Sequence, residues 1–435
     1  MASGSDRVRV DEPEVLVIGG GPAGSTAAHL LVAAGRRVVL LEKERFPRFH
    51  IGESLLPFNM TLLARLGIVD ELERAGSVRK HGARFFTGDG GHSHTVYFRD
   101  GLEPGPHAAF HVLREEFDDI LLRAATARGV DVRQEEEVVS ARRDSGRWEV
   151  AVRPAGAAEP YTIRARFLVD ASGRDTFLAQ RLGTKRMAQD HRRVAIYAHY
   201  RGVERDPGID AGNIIVVAMS NGWFWLIPLP NGVDSVGLVV DGEAYRASKL
   251  GPEQALLQAI ERSPEVRRRL AAAERIAAIR TTSDYSYRTT CASGEGYVTA
   301  GDAFGFIDPV FSSGVWLAMQ SGERAAEVVD RCLADPASAP RRLRRYDRGV
   351  RRSLDRYWRV VEYFYRPEFI DVFMQPTDRF QLRGAVNSVL AGTTSRRFGL
   401  ELRLELVYLA VRLQRYMRMR DRLPRASAFA ADDAA

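Results

Sequence analysis

The chain has 435 residues, 45% hydrophobic and 27% charged, which is ordinary for a soluble globular protein and too long for one compact core. No apolar run approaches the roughly 18 residues of a membrane span. The start, MASGSDRVRVDEPE, is polar and lacks the apolar stretch of a secretion signal, so a cytoplasmic location is expected. Cys291 and Cys332 are the only cysteines, which excludes a disulfide framework or a cysteine zinc site, and no metal is expected. The net charge of +7 rests on arginine: of 63 cationic residues four are lysines, Lys43, Lys80, Lys185 and Lys249. Lysine gives up its proton far more readily than arginine, so a lysine at a reactive place is a candidate for chemistry.

In chain order, EVLVI (14–18) is a short apolar strand, GGGPAG a turn, and a helix follows from about Ser25 to Ala34, closed by Gly35. RRVVLLE (36–42) is the next strand, and this β-α-β unit implies a parallel sheet. A helix is expected around 59–75 and another over 113–129, with Phe117, Ile120, Leu121 and Ala124 on one face. VDVRQEEEVVSARR, RWEVAVR and ARFLVDAS (165–172) read as strands. From 192 to 241 the apolar period is close to two, which predicts an antiparallel sheet. EGYVTAGDAFG (295–305) is a strand and a turn. From about 313 the pattern is helical to a tail, ASAFAADDAA, expected to be frayed.

Two separated segments carry a nucleotide signal. Gly19-x-Gly21-x-x-Gly24, with Ala23 inside the turn, lies between strand and helix; these glycines allow the tight turn, the approach of a pyrophosphate and close helix–strand packing. Glu42 ends the second strand, where a carboxylate takes a ribose hydroxyl pair. It argues for FAD or NAD over a 2′-phosphorylated cofactor. Asp302 follows a strand far along the chain, and a helix starts near Ser313. A distant second contact of this kind is expected of FAD. In SNGWFWLIPLPN (220–231), Trp223 and Trp225 share one face of a strand. Two indoles there form a stiff apolar wall, either core packing or a partition between compartments.

On four segments the chain resembles the flavin-dependent halogenases of the para-hydroxybenzoate hydroxylase fold, particularly those of phenolic and carrier-bound pyrrolic substrates. The segments are PRFHIGESLLP (47–57), LVDASGR (168–174), WFWLIP (223–228) and GDAFGFIDPVFSSGV (301–315), and the likeness runs from about 13 to 330. LVDASGR departs from the Asp-Gly pattern of the hydroxylases that use NADPH. The resemblance implies an α/β fold: a Rossmann-like FAD-binding domain (1–80, 106–185 and 281–330), a substrate-side antiparallel sheet (81–105 and 186–280) and a helical C-terminal region (331–435).

It further implies reduced FAD from a separate flavin reductase, O2, and chloride or bromide oxidised to hypohalous acid. No nucleic acid or membrane partner is expected. Trp223, Trp225 and Ile227 match the family's Trp-x-Trp-x-Ile signature, the wall between flavin and substrate. Lys80, by its distance after GESLLP, matches the lysine that holds the oxidant and delivers it to an electron-rich ring; the alternative is a surface cation. Arg45 and Arg114 resemble flavin-contacting arginines of the fold, or else are surface charges. Pro309 and Gly314 fall to the flavin loop, and Ser312, Ser313 and Gly314 to a halide site at a helix start, where backbone N–H groups favour an anion.

Tyr357, Phe364, Tyr365, Phe369 and Phe373 could roof a flat substrate pocket or form a helix–helix core. The arginine-rich stretch from Arg341 is a solvated face or a dock for an acidic carrier protein bearing the substrate. An aromatic hydroxylase, a prenyl-chain reductase of the geranylgeranyl type and a flavin-binding partner without catalysis are the rival readings.

Overall fold

A computed structural model describes residues 12–188, 192–283, 285–375, 379–395, 397–424 and 426–429. Most of the polar N-terminal stretch and the last six residues of the tail lie outside the described residues. Ala428 and Phe429 do not fray: both are buried in the core of the large sheet, and the Ala428 amide donates to Asn221 Oδ1.

The nucleotide-binding half is built on a six-stranded sheet. Val15–Ile18 lies at its centre, with Phe167–Asp170 and Tyr297–Thr299 to one side and Val38–Glu42 and Asp131–Gln134 to the other, all parallel; Ser293–Gly294 closes the edge antiparallel. All four residues of Val15–Ile18 are buried, as expected of a strand covered on both faces. Helices Pro22–Ala33 and Gly314–Ala334 pack together on this sheet, with Ala23 and Ala27 in the shared core. The helix expected over 59–75 is two, Pro57–Leu66 and Val69–Arg74, because Gly67 takes a left-handed conformation (φ 74°) and stops the first.

The second half is an eight-stranded sheet that includes four successive strands, Arg193–Arg201, Ile214–Ala218, Gly222–Pro228 and Val233–Asp241. Gly82–Thr87 joins it parallel to Ile214–Ala218, which places the segment after Lys80 beside the tryptophan strand's neighbour. Helices Ala339–Phe364, Pro367–Phe373, Leu382–Leu390 and Phe398–Met417 complete the C-terminal region. Among the described residues no helix is long and apolar enough to cross a membrane.

Candidate active site

Where the parallel sheet meets the large sheet, a cavity of about 1000 Å3 opens, at the top of the size range for small-molecule and cofactor sites. Gly19, Gly21, Ala23 and Glu42 line one end; Asp302, Pro309, Ser312 and Gly314 line another part; Trp223, Trp225 and Ile227 form a wall.

The glycine end is held by contacts that tolerate no side chain. Gly19 has φ 98°, and a Cβ there would lie 2.4 Å from the Ala171 carbonyl oxygen. A Cβ on Gly24 would lie 1.9 Å from the Gly19 carbonyl oxygen, so Gly24 serves packing and does not line the cavity. Glu42 is buried; its Oε2 accepts from the Gly20 amide at 2.7 Å and its Oε1 from the Glu44 amide at 2.9 Å. Asp170 fixes the facing loop by accepting from the Ser172 and Leu178 amides at 3.0 and 2.7 Å.

The two arginines separate. Arg114 is buried, pairs with Asp118 at 2.8 Å, donates to the Ile51 carbonyl at 2.8 Å and lines the cavity. Arg45 does not: its side chain is 78% exposed, pairs with Glu135 at 3.6 Å and is not among the lining residues. Arg48, three positions on, lines the cavity instead, held by Asp118 and Glu44. Sequence spacing passed it over because Arg48 owes its position to the irregular PRFHIGES segment.

The tryptophan wall is keyed on both indoles. Trp225 lies across the neighbouring strand at Gly237, where a Cβ would come within 2.1 Å of the ring, and its Nε1 donates to Ser235 Oγ at 3.1 Å. The indole lies 5.8 Å from Tyr197 between ring centres, and Trp223, two residues along the strand, lies at the same distance from Trp225. Trp223 Nε1 donates to Tyr365 Oη at 2.9 Å, and Tyr365 donates to Asp308 Oδ2 at 2.8 Å, tying the wall to the 301–315 loop. Burial pushes Asp308 up to about 6, the Tyr365 hydrogen bond opposing.

The five aromatics considered for a substrate roof are core residues. Tyr357, Phe364, Phe369 and Phe373 are buried and none lines the cavity. Tyr357 donates to the Val389 carbonyl at 3.0 Å, and Phe369 stacks on Phe373 at 5.3 Å. Tyr365, outside the cavity lining, reaches the site through its hydrogen bonds with Trp223 and Asp308. Their spacing is that of the apolar face of packed helices, which the pattern of a pocket lining duplicates.

Lys80 ends the strand Val78–Lys80 and is 2% exposed. Its Nζ donates to Ser54 Oγ at 2.8 Å and the Leu55 carbonyl at 3.3 Å, and it lies 5.2 Å from the centre of the Phe98 ring. Burial alone pulls its pKa down to about 7. It does not line the cavity directly; Ser54, to which it is bonded, does. Lys43, by contrast, is half-exposed on Asp175. Ser312 (φ 55°) and Gly314 line the cavity at the start of Gly314–Ala334, while Ser313 is buried at the N-cap position.

One pair escaped the sequence reading. Glu53 is buried in the cavity wall with Oε1 2.6 Å from His199 Nε2, and that hydrogen bond raises the histidine's pKa; among the described residues Glu53 Oε2 has no hydrogen-bond partner. Periodicity in the strand marks His199 only as a polar residue, so nothing in the sequence signalled the pairing.

The glycine cradle, the buried Glu42 carboxylate, the helix start and an unsatisfied carboxylate oxygen in a cavity of this size fit FAD. The fold and cavity define an FAD-dependent oxidoreductase, and residues 12–361 match the family described as FAD binding domain. The chain is 36% identical over 324 residues to the 1H-pyrrole-2-carbonyl-(peptidyl-carrier protein) brominase of Pseudoalteromonas luteoviolacea, covering 74% of this chain and 78% of the relative. It is 29% identical over 391 residues to the corresponding chlorinase of Pseudomonas fluorescens, 85% and 87% of the two chains. The structure of the myxobacterial chondrochloren halogenase CndH superposes with a TM-score of 0.76 at 36% identity, over 93% of this chain and 91% of that one. The protein belongs to the flavin-dependent halogenases. It is an enzyme that uses FAD, O2 and a halide, and the hydroxylase, reductase and non-catalytic readings are set aside.

Proposed function

We propose that this halogenase transfers an electrophilic halogen from Lys80 to an electron-rich pyrrole or phenol, presented on a carrier protein. The single observation that carries the reading is the buried lysine with a pKa near neutrality, bonded to a cavity-lining serine and set apart from the glycine cradle. Reduced FAD and O2 supply the oxidising power that turns halide into hypohalous acid, and a separate flavin reductase supplies the reduced flavin.

The chain's own residues do the rest. Gly19, Gly21, Ala23, Glu42, Arg48, Arg114 and Asp302 hold the cofactor, and the amides at Ser312–Gly314 hold the halide. Trp223, Trp225 and Ile227 keep the aromatic substrate from the flavin side, so the ring meets the halogenating agent and is not hydroxylated. Near neutral pH a substantial fraction of Lys80 is the free amine; its nitrogen takes the halogen from hypohalous acid as water leaves, and passes it to a ring carbon whose displaced proton returns the nitrogen to the free amine. Ser54 and the Leu55 carbonyl fix the amine's direction. The two pyrrolyl-carrier relatives support a tethered pyrrole as substrate.

The test is product analysis by mass spectrometry with reduced FAD, O2 and bromide, comparing a pyrrolyl-carrier conjugate with the free acid and with a free phenol. Bromination of the conjugate in preference to the free acid supports the reading. Bromination of free phenol alone removes the carrier.

A further inference from the structure

We infer that Glu53 and His199 form the inlet through which the site draws the proton consumed in each oxidation of halide. This rests on the reading that halide is oxidised to hypohalous acid, and not on Lys80 or the carrier.

The balance of that step requires a proton. It consumes reduced flavin, O2, halide and one proton, and yields oxidised flavin, hypohalous acid and water. O2 takes two electrons from the flavin and two from the halide. The two hydrogens of the flavin and the added proton make up those of the products. Arg48, Arg114, Arg174, Arg181 and Arg280 line the cavity but keep their protons. His50, also in the wall, is pulled down to about 4 by burial and by Arg114, so it is uncharged near neutral pH.

Glu53 and His199 run from the cavity through its wall. Glu53 lines the cavity with a side chain 1% exposed; His199 is 17% exposed and is not among the lining residues. His199 Nε2 donates to Glu53 Oε1 at 2.6 Å. Glu53 Oε2 is buried and has no hydrogen-bond partner among the described residues. A buried oxygen left in that state calls for a partner that the site supplies in use. The backbone beneath it is fixed: the Val112 amide donates to the Glu53 carbonyl and the Leu55 amide to the Phe110 carbonyl, both at 2.9 Å. The terminal torsion of a glutamate is broad and two-fold. A proton passed from Nε2 to Oε1 is therefore carried to the cavity side by a half-turn of the carboxyl group.

The surroundings of His199 keep it charged. Its hydrogen bond to Glu53 raises its pKa above 6.5 against burial; the charges of Glu53 and Glu115 add to the rise and Arg280 opposes it. Ser235 lies opposite on the strand Val233–Asp241, and the Ile276 amide takes the His199 carbonyl. Phe49 flanks the ring at 6.1 Å, and the exposed Arg280 lies 3.8 Å over Phe49 at the rim. His199 thus acts through Glu53, which meets the reacting groups.

Single-turnover formation of hypobromous acid by the FAD-loaded protein, trapped with monochlorodimedone and without aromatic substrate, tests the inlet. Wild type should keep a constant rate below the His199 pKa and lose about tenfold per pH unit above it. Glu53→Gln should be slower by about tenfold or more. His199→Ala should lose the break in the profile and recover its rate with added imidazole, which a merely structural histidine would not allow. Lys80→Met should match wild type in this assay, which separates the inlet from the lysine. NMR titration of the nine histidines should assign to His199 a pKa above 6.5 that drops in Glu53→Gln. Equal rates in wild type and Glu53→Gln, His199→Ala that imidazole does not rescue, or a His199 pKa at or below 6.5 would overturn the inlet alone. No hypobromous acid from wild type would overturn it together with the reading on which it rests.

Discussion

Replacing Lys80 by methionine should abolish halogenation and stabilise the protein. The ammonium group sits in a site where burial lowers its pKa from 10.5 to about 7. Between those values the unfolded chain holds a proton that the folded chain has lost. The folded state is therefore handicapped in full below about pH 7, and the handicap fades as the pH rises toward about 10.5. The difference corresponds to roughly 4–5 kcal/mol at neutral pH. Methionine fills much of the same volume without ionising and gives up the hydrogen bonds to Ser54 and Leu55, a loss of about 1–2 kcal/mol. The net expectation is a gain of about 3 kcal/mol at neutral pH that nearly closes by about pH 10. Equilibrium urea unfolding followed by tryptophan fluorescence at both ends of the window reads it, alongside product formation with bromide. A variant that is less stable than wild type by a pH-independent amount would refute the neutral, desolvated lysine. Full halogenation by the variant would remove Lys80 from the mechanism.

Three further outcomes follow from the same geometry. Gly237→Ala places a Cβ 2.1 Å from the Trp225 ring; it should displace the indole, destabilise the protein by about 1–3 kcal/mol and shift its tryptophan emission. Glu42→Ala removes the acceptor of the Gly20 amide and should weaken FAD binding about tenfold or more in a fluorescence titration. Arg45→Ala should leave the FAD dissociation constant unchanged, whereas Arg48→Ala should raise it; the reverse order would show that the exposed arginine folds onto the cofactor.

Much of this site was legible because its parts are local. Gly19 to Glu42 is one β-α-β unit in which turn, helix and carboxylate keep fixed spacing, though the helix begins at Pro22, three residues before the expected start, and Gly24 serves packing. The tryptophans shared a face because a strand alternates. Lys80 stood out because the resemblance places the family's lysine at that distance after GESLLP, with the rarity of lysine in an arginine-rich chain as support. What was hidden depends on long-range packing. Arg45 and Arg48 differ by three residues in an irregular segment, and the long-range contact with Asp118, 70 residues away, helps select Arg48. The His199–Glu53 contact spans 146 residues. The aromatics from Tyr357 to Phe373 carry helical spacing that a core and a pocket share, and the contacts with Val389 and Phe85 place them in the core.

The central claim is that the halogenating equivalent passes through Lys80. Wild-type protein loaded with reduced FAD, oxygen and bromide, freed of small molecules by rapid gel filtration and then given an activated phenol, should yield bromophenol, and Lys80→Met treated identically should not. Equal yields from the two proteins, or none from either, would contradict it.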